Sequence, residues 1–589
     1  MVDVNVTSDI VGRGRAASIP NAWAETFLIA FFASALSVLR TGFVFGLTSN
    51  LYHLPIVAGL YDEPQYQNDG YIQSLRYFAS GVWLTLSGVE KYFDNVPLLF
   101  FVLFFLSRLV SFVGFLCCAS LLGVTERRDK IVFSLILCFV AFLDGYSYAG
   151  SGGLFINYFT HSEMANGVAL LAIYFAARGF YTAAIVAVGI TSFINAFFAA
   201  WLVPPLALIG IWQLSQRKAT IGEISSRVLI GCILCLPLAY VVLRGFFSNP
   251  EFGHPFDLAN FLRQYFPGHV LFDTTSLGDI VGLSGVILIG ALALFWSRQA
   301  APELRAAYLG IILVYLIGIA LPFVTRSPII LNLHLLRSST VIHLLAALAI
   351  AALATNWLRR DREAAFLPAC LIVLFVTFDG WPGLALVAAV LVFALRTSVP
   401  GPPQSYQRTM GYLVLATTVL VAYPLAIWSG ISFSRICNEA VSEWTDVGKW
   451  ARGNTPVTAM FLTPRRPELD GRAEVSIADM ALDRGSVFEF VSHRRVWVDF
   501  KRGGSSVLTP SYYPVWRSRL TDVEGLNSLA ERMAYASRNG IGYVVDVCQS
   551  PDAGNGVVYR TKRLCVFSTG ADAPAARKDA SPAAERSAG

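Results

Sequence analysis

Three acids fall close together in Tyr61-Asp62-Glu63-Pro64-Gln65-Tyr66-Gln67-Asn68-Asp69. Carboxylates so placed, just beyond an apolar run, can ligate a divalent cation or take a proton from an attacking hydroxyl or amine. The plainer alternative is a solvated acidic loop. Arg326 and Arg337 bracket the segment TRSPIILNLHLLRSS, with His334 between them. A guanidinium at the edge of a membrane helix suits a lipid phosphate, because its planar fork donates two charge-assisted hydrogen bonds. Snorkelling to the interface is the competing account. Arg337 is the stronger candidate, since a basic residue there runs against the positive-inside bias. His161 follows the glycine-rich Gly150-Ser151-Gly152-Gly153; such a turn could hold an anion on backbone N–H groups, or Thr160 or Ser162 could simply cap a helix. His53 precedes the acidic segment, and His254 stands alone before Pro255. Asp144 falls in an apolar run and needs a wet cavity or a partner, with Arg40 and Arg108 as candidates.

These residues must be positioned by membrane helices. The 589 residues are 55% apolar and 14% charged, against about 25% charged in soluble domains. The net charge of +6 comes from residues scattered through short loops, which is a topology signal and not a nucleic-acid-binding face. Six of the nine cysteines (Cys117, Cys118, Cys138, Cys232, Cys235, Cys370) sit in apolar runs and act there as small hydrophobes; no His/Cys spacing suits zinc.

Runs long enough for spans fall at 24–46, 97–124, 131–150, 164–178, 181–196, 198–214, 228–247, 280–296, 306–324, 338–357, 366–378, 382–395 and 411–430. The stretch 164–214 reads either as three tilted spans or as two with a re-entrant turn at Trp201–Pro205. Arg13 and Arg15 place the segment 1–23 in the cytoplasm. The loops then alternate between arginine-rich (Arg127 and Arg128; Arg217 and Arg227; Arg298 and Arg305; Arg359, Arg360 and Arg362; Arg396 and Arg408) and acid-rich. Thirteen spans put the C-terminal region outside. The fold class predicted is thus an α-helical polytopic membrane protein with about 13 transmembrane helices over 24–430 and a small extracytoplasmic α/β domain over 431–570.

Two outside loops are long. In the first, 47–96, the stretch 71–93 reads as interfacial helices; in the second, 248–279, HPFDLANFLRQYF does. In the C-terminal domain, Arg495–Phe500, Gly542–Val547 and Leu564–Phe567 alternate like strands, while 438–452 and 524–539 have helical spacing. Cys548 and Cys565 flank a turn and could pair in an oxidising compartment, leaving Cys437 outside the pair. Arg494, Arg495, Lys501, Arg502, Arg517 and Arg519, interleaved with Trp497 and Trp516, suit either a glycan or docking and local ion pairing, and the latter is preferred. The tail 571–589 has a disordered composition.

This layout resembles the GT-C superfamily of membrane glycosyltransferases. Asp62-Glu63-Pro64-Gln65-Tyr66 is similar to the Asp-Glu-x-x-Tyr/Phe motif in the first outside loop of protein mannosyltransferases and lipid A aminoarabinose transferases. That resemblance implies Asp62 as the base or acceptor-orienting carboxylate, with Glu63 beside it in a metal or acceptor site and Tyr66 in the substrate loop. A second resemblance, to uncharacterised bacterial GT-C-like membrane proteins, rests on His53-x-Pro55 leading to Asp69, on Phe159-Thr160-His161-Ser162, and on Ser492-His-Arg-Arg495 followed by Val498-Asp-Phe-Lys501 and Trp516-Arg517. It implies Asp69 as the key acid. The chain lacks the Trp-Trp-Asp signature of oligosaccharyltransferases.

The expected function is therefore transfer of a sugar from a polyprenyl-phosphate donor to an extracytoplasmic acceptor at a bacterial-type inner membrane. Asp62 or Asp69 would be catalytic, and Arg337, with Arg326 and His161, would bind donor phosphate. Glu63, Tyr66, His53 and His254 would contact acceptor or substrate, and Asp62 with Glu63 could hold a divalent cation. The alternatives are a transporter or flippase of a lipid-linked glycan, which calls for internal repeats and charged residues along a path, and a non-catalytic envelope-assembly protein. Nothing in the sequence sets the oligomeric state.

Overall fold

A computed structural model describes residues 19–78, 80–297, 299–359, 363–395, 404–464, 486–548 and 556–570. Arg13 and Arg15, the loop residues Arg298, Arg360, Arg362 and Arg396, and the tail 571–589 lie outside the described residues. A helix occupies each of the thirteen predicted runs. Eight helices among the described residues are long and apolar enough to cross a membrane. The bundle packs around Ser339–Arg359, which is buried along almost its whole length. Its alanines let neighbouring helices approach closely, as small residues do where lipid supplies no hydrophobic drive.

Two expectations change, and one open alternative closes. The predicted run 131–150 is helical only over Arg127–Cys138. Beyond it the chain turns through Gly145 and Gly150, both at positive φ, and closes on itself by the bridges Asp144↔Phe155 and Tyr146↔Gly153. Glycine supports such a path at little steric cost, and irregular backbone is tolerated at this depth only when buried in protein. The stretch 71–93 forms short helical turns instead of amphipathic surface helices, with Tyr71, Ile72, Leu75 and Trp83 buried. At Trp201–Pro205 no re-entrant turn occurs, because the chain stays helical from Ala196 to Ser215.

The helix Tyr423–Asn454 runs without a break from the bundle into the C-terminal domain. Gly430 lets this helix pass close to the first helix, Ile19–Thr41: a Cβ there would fall 1.6 Å from the Arg40 carbonyl oxygen. The domain carries five strands, β1 (Met460–Leu462), β2 (Arg495–Val496), β3 (Tyr543–Val547), β4 (Val557–Arg560) and β5 (Leu564–Ser568), in the order β2-β1-β3-β5-β4. β1 pairs in parallel with β2 and β3, and β5 antiparallel with β3 and β4. Cys548 and Cys565 form a disulfide linking β5 to the end of β3. The domain and the first loop share one apolar core: Leu54, Tyr71 and Trp83 of the loop cluster with Cys437, Phe490 and Trp516.

Candidate active site

A cavity of about 910 Å³ lies where the bundle, both long loops and the C-terminal domain meet. Four of the seven histidines line it: His53, His161, His269 and His334, together with Arg337. The glycine-rich segment explains how Arg337 is held. A Cβ on Gly150 would lie 2.4 Å from the Leu336 carbonyl oxygen, and one on Gly152 2.0 Å from Thr340 Oγ1. Only glycine lets this turn close over the start of the central helix, where Ser151 O accepts a hydrogen bond from Arg337 at 3.3 Å. Arg337 Nε has no hydrogen-bond partner among the described residues. No described carboxylate pairs with Arg337; His161, His269 and His334 are its electrostatic neighbours.

The histidines are fixed as neutral polar groups. His53 stacks on Trp83 with ring centroids 3.9 Å apart, and burial, reinforced by His161 and Lys501, lowers its pKa well below the ordinary range. His269 is pushed down to about 4 by burial and by Arg337. His161 Nδ1 accepts from Trp83 Nε1 at 3.0 Å, which in the neutral ring leaves Nε2 carrying the proton. Thr160, not Ser162, caps the helix His161–Ala177, accepting from the Glu163 backbone N–H. The capping role proposed from the sequence is thus filled, and the glycines upstream serve a close approach.

The acids of the first loop do not reach this cavity. Asp62 pairs with Arg76 at 2.9 Å on the surface, and that guanidinium also lies over the Tyr61 ring. Glu63 Oε1 holds His493 Nδ1 of the C-terminal domain at 2.6 Å. Asp69 caps the helix Gly70–Ser74, accepting from the Tyr71 and Ile72 N–H groups. A carboxylate before a helix start is drawn to its unpaired N–H groups, and that satisfies Asp69 locally. Tyr66 is buried beside these residues and, like Arg326 and His254, does not line the cavity; the latter two are exposed. Glu63 therefore acts in the contact between loop and domain and Asp62 in a pair within the loop itself, and no group of three or more described His, Cys, Asp or Glu side chains could hold a metal ion.

The cavity's carboxylates come instead from the C-terminal domain, Asp499 and Glu524, with Lys501 near them. From sequence, Asp499 stands out only as a member of Val498–Lys501, and His269 not at all. The signal available was the concentration of few histidines in loops. Most of the basic cluster is engaged structurally. Arg494 donates to the Arg452 and Thr455 carbonyls, Arg502 pairs with Glu489 at 2.7 Å, and Arg519 stacks on Trp497. Within the bundle Arg40 pairs with Asp144 and Arg108 with Glu163.

His493 makes the contact between loop and domain sensitive to pH. Burial opposes its charge, but the hydrogen bond to Glu63 and the Glu90 carboxylate 3.6 Å from Nε2 outweigh burial and raise its pKa, with Arg452 nearby working against them. A raised folded value means that its contribution to docking is complete below about pH 6.5 and is lost as the pH climbs through the folded value. Hydrogen-exchange protection of residues 60–68 is expected to fall as the pH is raised above neutrality, and Glu63→Gln should flatten that profile. A flat profile in the unaltered protein would remove the charged contact.

No family model and no curated protein matches the chain. Among solved structures, ArnT from Cupriavidus metallidurans bound to undecaprenyl phosphate aligns over 94% of this chain and 99% of that chain, at 13% identity and a TM-score of 0.41. A likeness of that degree assigns neither fold nor activity.

Proposed function

We propose that the protein is a GT-C-like membrane glycosyltransferase. It takes a sugar, or sugar-like group, from a polyprenyl-phosphate donor and passes it to an acceptor on the extracytoplasmic side of a bacterial-type inner membrane. The N-terminus lies in the cytoplasm and the sheet domain outside, in keeping with the arginine-rich loops and with the paired Cys548 and Cys565. The carrying observation is Arg337, a cation without a described carboxylate partner on the wall of a large cavity. Phe197, Phe198, Trp201 and Phe246 line the same space, so one site offers a phosphate partner and apolar walls for a lipid chain.

In the reaction, a lone pair of the acceptor attacks the anomeric carbon and the carbon–oxygen bond to phosphate breaks with inversion. The bonding pair passes to the phosphate oxygen, where Arg337 stabilises the developing charge. The transporter reading needs charged groups along a path. Here Arg40, Asp144, Arg108 and Glu163 are tied in pairs, and none lines the cavity, which favours an enzyme.

Binding of undecaprenyl phosphate to the purified protein in lipid nanodiscs tests this reading. Arg337→Ala is expected to weaken binding on the order of 10- to 100-fold, as loss of a charge-assisted hydrogen bond worth about 1.5–3 kcal/mol requires. Arg337→Lys should recover part, since a point charge lacks the fork. Equal affinity in all three proteins would overturn the assignment.

A further inference from the structure

We infer that Asp499 receives the acceptor's proton, so that the C-terminal domain forms the acceptor half of the cavity and the acceptor is a sugar hydroxyl. This rests on the transferase reading above. The acids of the two long loops described so far are committed elsewhere: Asp62 to Arg76, Glu63 to His493, and Asp69 to a helix start. Most of the rest follow suit, with Glu90 on Arg452 and His493, Glu251 on Ser511, Asp273 on Arg263, Asp257 capping a helix and Asp279 accepting from the N-cap hydroxyl of Ser276, while Asp94 does not line the cavity.

Asp499 differs. It lines the cavity and has no ion-pair partner among the described residues. Its Oδ1 accepts the Lys501 N–H at 2.7 Å, and its own carbonyl accepts Trp516 Nε1 at 2.9 Å. Both bonds fix the residue in the short segment between β2 and the helical turn Lys501–Val507, while Oδ2 has no described donor. A carboxylate oriented by one oxygen and open at the other is the form a general base takes.

The walls beside it are ring faces. Tyr265, Phe266 and Phe500 line the cavity there, with the Phe266 and Phe500 centroids 5.7 Å apart, and the buried Trp516 backs Tyr265 edge-on at 4.8 Å. Flat, apolar and rimmed with polar groups, such surfaces receive the C–H face of a pyranose. The acceptor O–H bond breaks, its proton goes to Asp499 Oδ2, and the oxygen bonds to the anomeric carbon. The phosphate oxygen leaves with the old bonding pair, toward Arg337. The two charged groups thus come from different parts of the chain, the carboxylate from the domain and the guanidinium from the bundle.

The test uses full-length protein in nanodiscs, with undecaprenyl phosphate as the binding probe. Undecaprenyl-phosphate-linked hexoses and aminopentoses serve as donors and alkyl glucosides as acceptors, with release of undecaprenyl phosphate as the readout. Asp499→Asn preserves the acceptor for the Lys501 N–H. It is expected to bind undecaprenyl phosphate as the unaltered protein does, to unfold at the same temperature, and to turn over donor at least about 100-fold more slowly; Asp499→Glu should restore part of the rate. Turnover by Asp499→Asn within threefold or so of the unaltered rate overturns the inference. So does an unaltered protein that binds the lipid and turns over none of the donors. Failure of the unaltered protein to bind the lipid overturns the donor reading itself.

Discussion

Glu163→Ala is expected to destabilise the bundle by about 3–5 kcal/mol, read as a fall in the thermal unfolding midpoint in detergent. Glu163 and Arg108 are both fully buried and paired. Arg108 also donates to Ile156 O at 2.6 Å and Ser37 Oγ at 3.0 Å, and its guanidinium lies 4.1 Å from the Phe155 ring centroid. Removing the carboxylate leaves a buried cation whose remaining partners are neutral. The pair itself contributes little net stability, because taking two ions out of water offsets most of their attraction. The double replacement Arg108→Met with Glu163→Met is therefore expected to recover most of the loss. A single replacement costing less than about 1 kcal/mol would mean that water reaches the pair. Glu163 stands two residues beyond His161 on the same first helical turn, so the damage should extend to the cavity.

Glu489→Ala is expected to produce a loss of similar size, about 3–5 kcal/mol, confined to the seam between the domain and the first loop. Glu489 and Arg502 are almost completely buried. Arg502 bonds Val496 O at 3.2 Å and lies 4.6 Å from the centre of the Tyr71 ring, whose hydroxyl donates to Leu51 O at 2.6 Å. One buried cation thus ties the helical turn Lys501–Val507 to the first loop. Its loss should raise hydrogen exchange over residues 495–507 and 51–71 and slow transfer, because Asp499 lies at the edge of that turn. Exchange in the bundle helices should stay unchanged. Uniform loosening of the whole molecule would contradict a local seam.

The contrast between these regions shows what could be read in the sequence. Apolar runs of about twenty residues have few folding options in lipid, so all thirteen held helices. Partners of Asp144 were foreseeable for the same reason, since a charge at that depth needs one. Arg337 stood out because its position breaks a bias, and it lines the cavity. The acids were not, since spacing alone cannot distinguish a carboxylate that caps a helix, as Asp69 does, from one that faces substrate. Asp499 was hidden by distance: it lies more than 150 positions along the chain from Arg337, and only the fold brings both to one cavity. The helix Leu529–Arg538 and strands β3 and β5 followed local patterns, whereas β1 and β4, at three and four residues, are too short to leave one.

The unbroken helix Tyr423–Asn454 has a mechanical consequence. At 32 residues it is a rod of about 48 Å, and it begins directly after a π-helical turn at Thr418–Ala422. A rod of that kind does not fold at its middle, so the sheet cannot swing on a flexible tether. Any tilt must pivot at the wide turn within the membrane-crossing part, carrying sheet and shaft together like an oar in its rowlock.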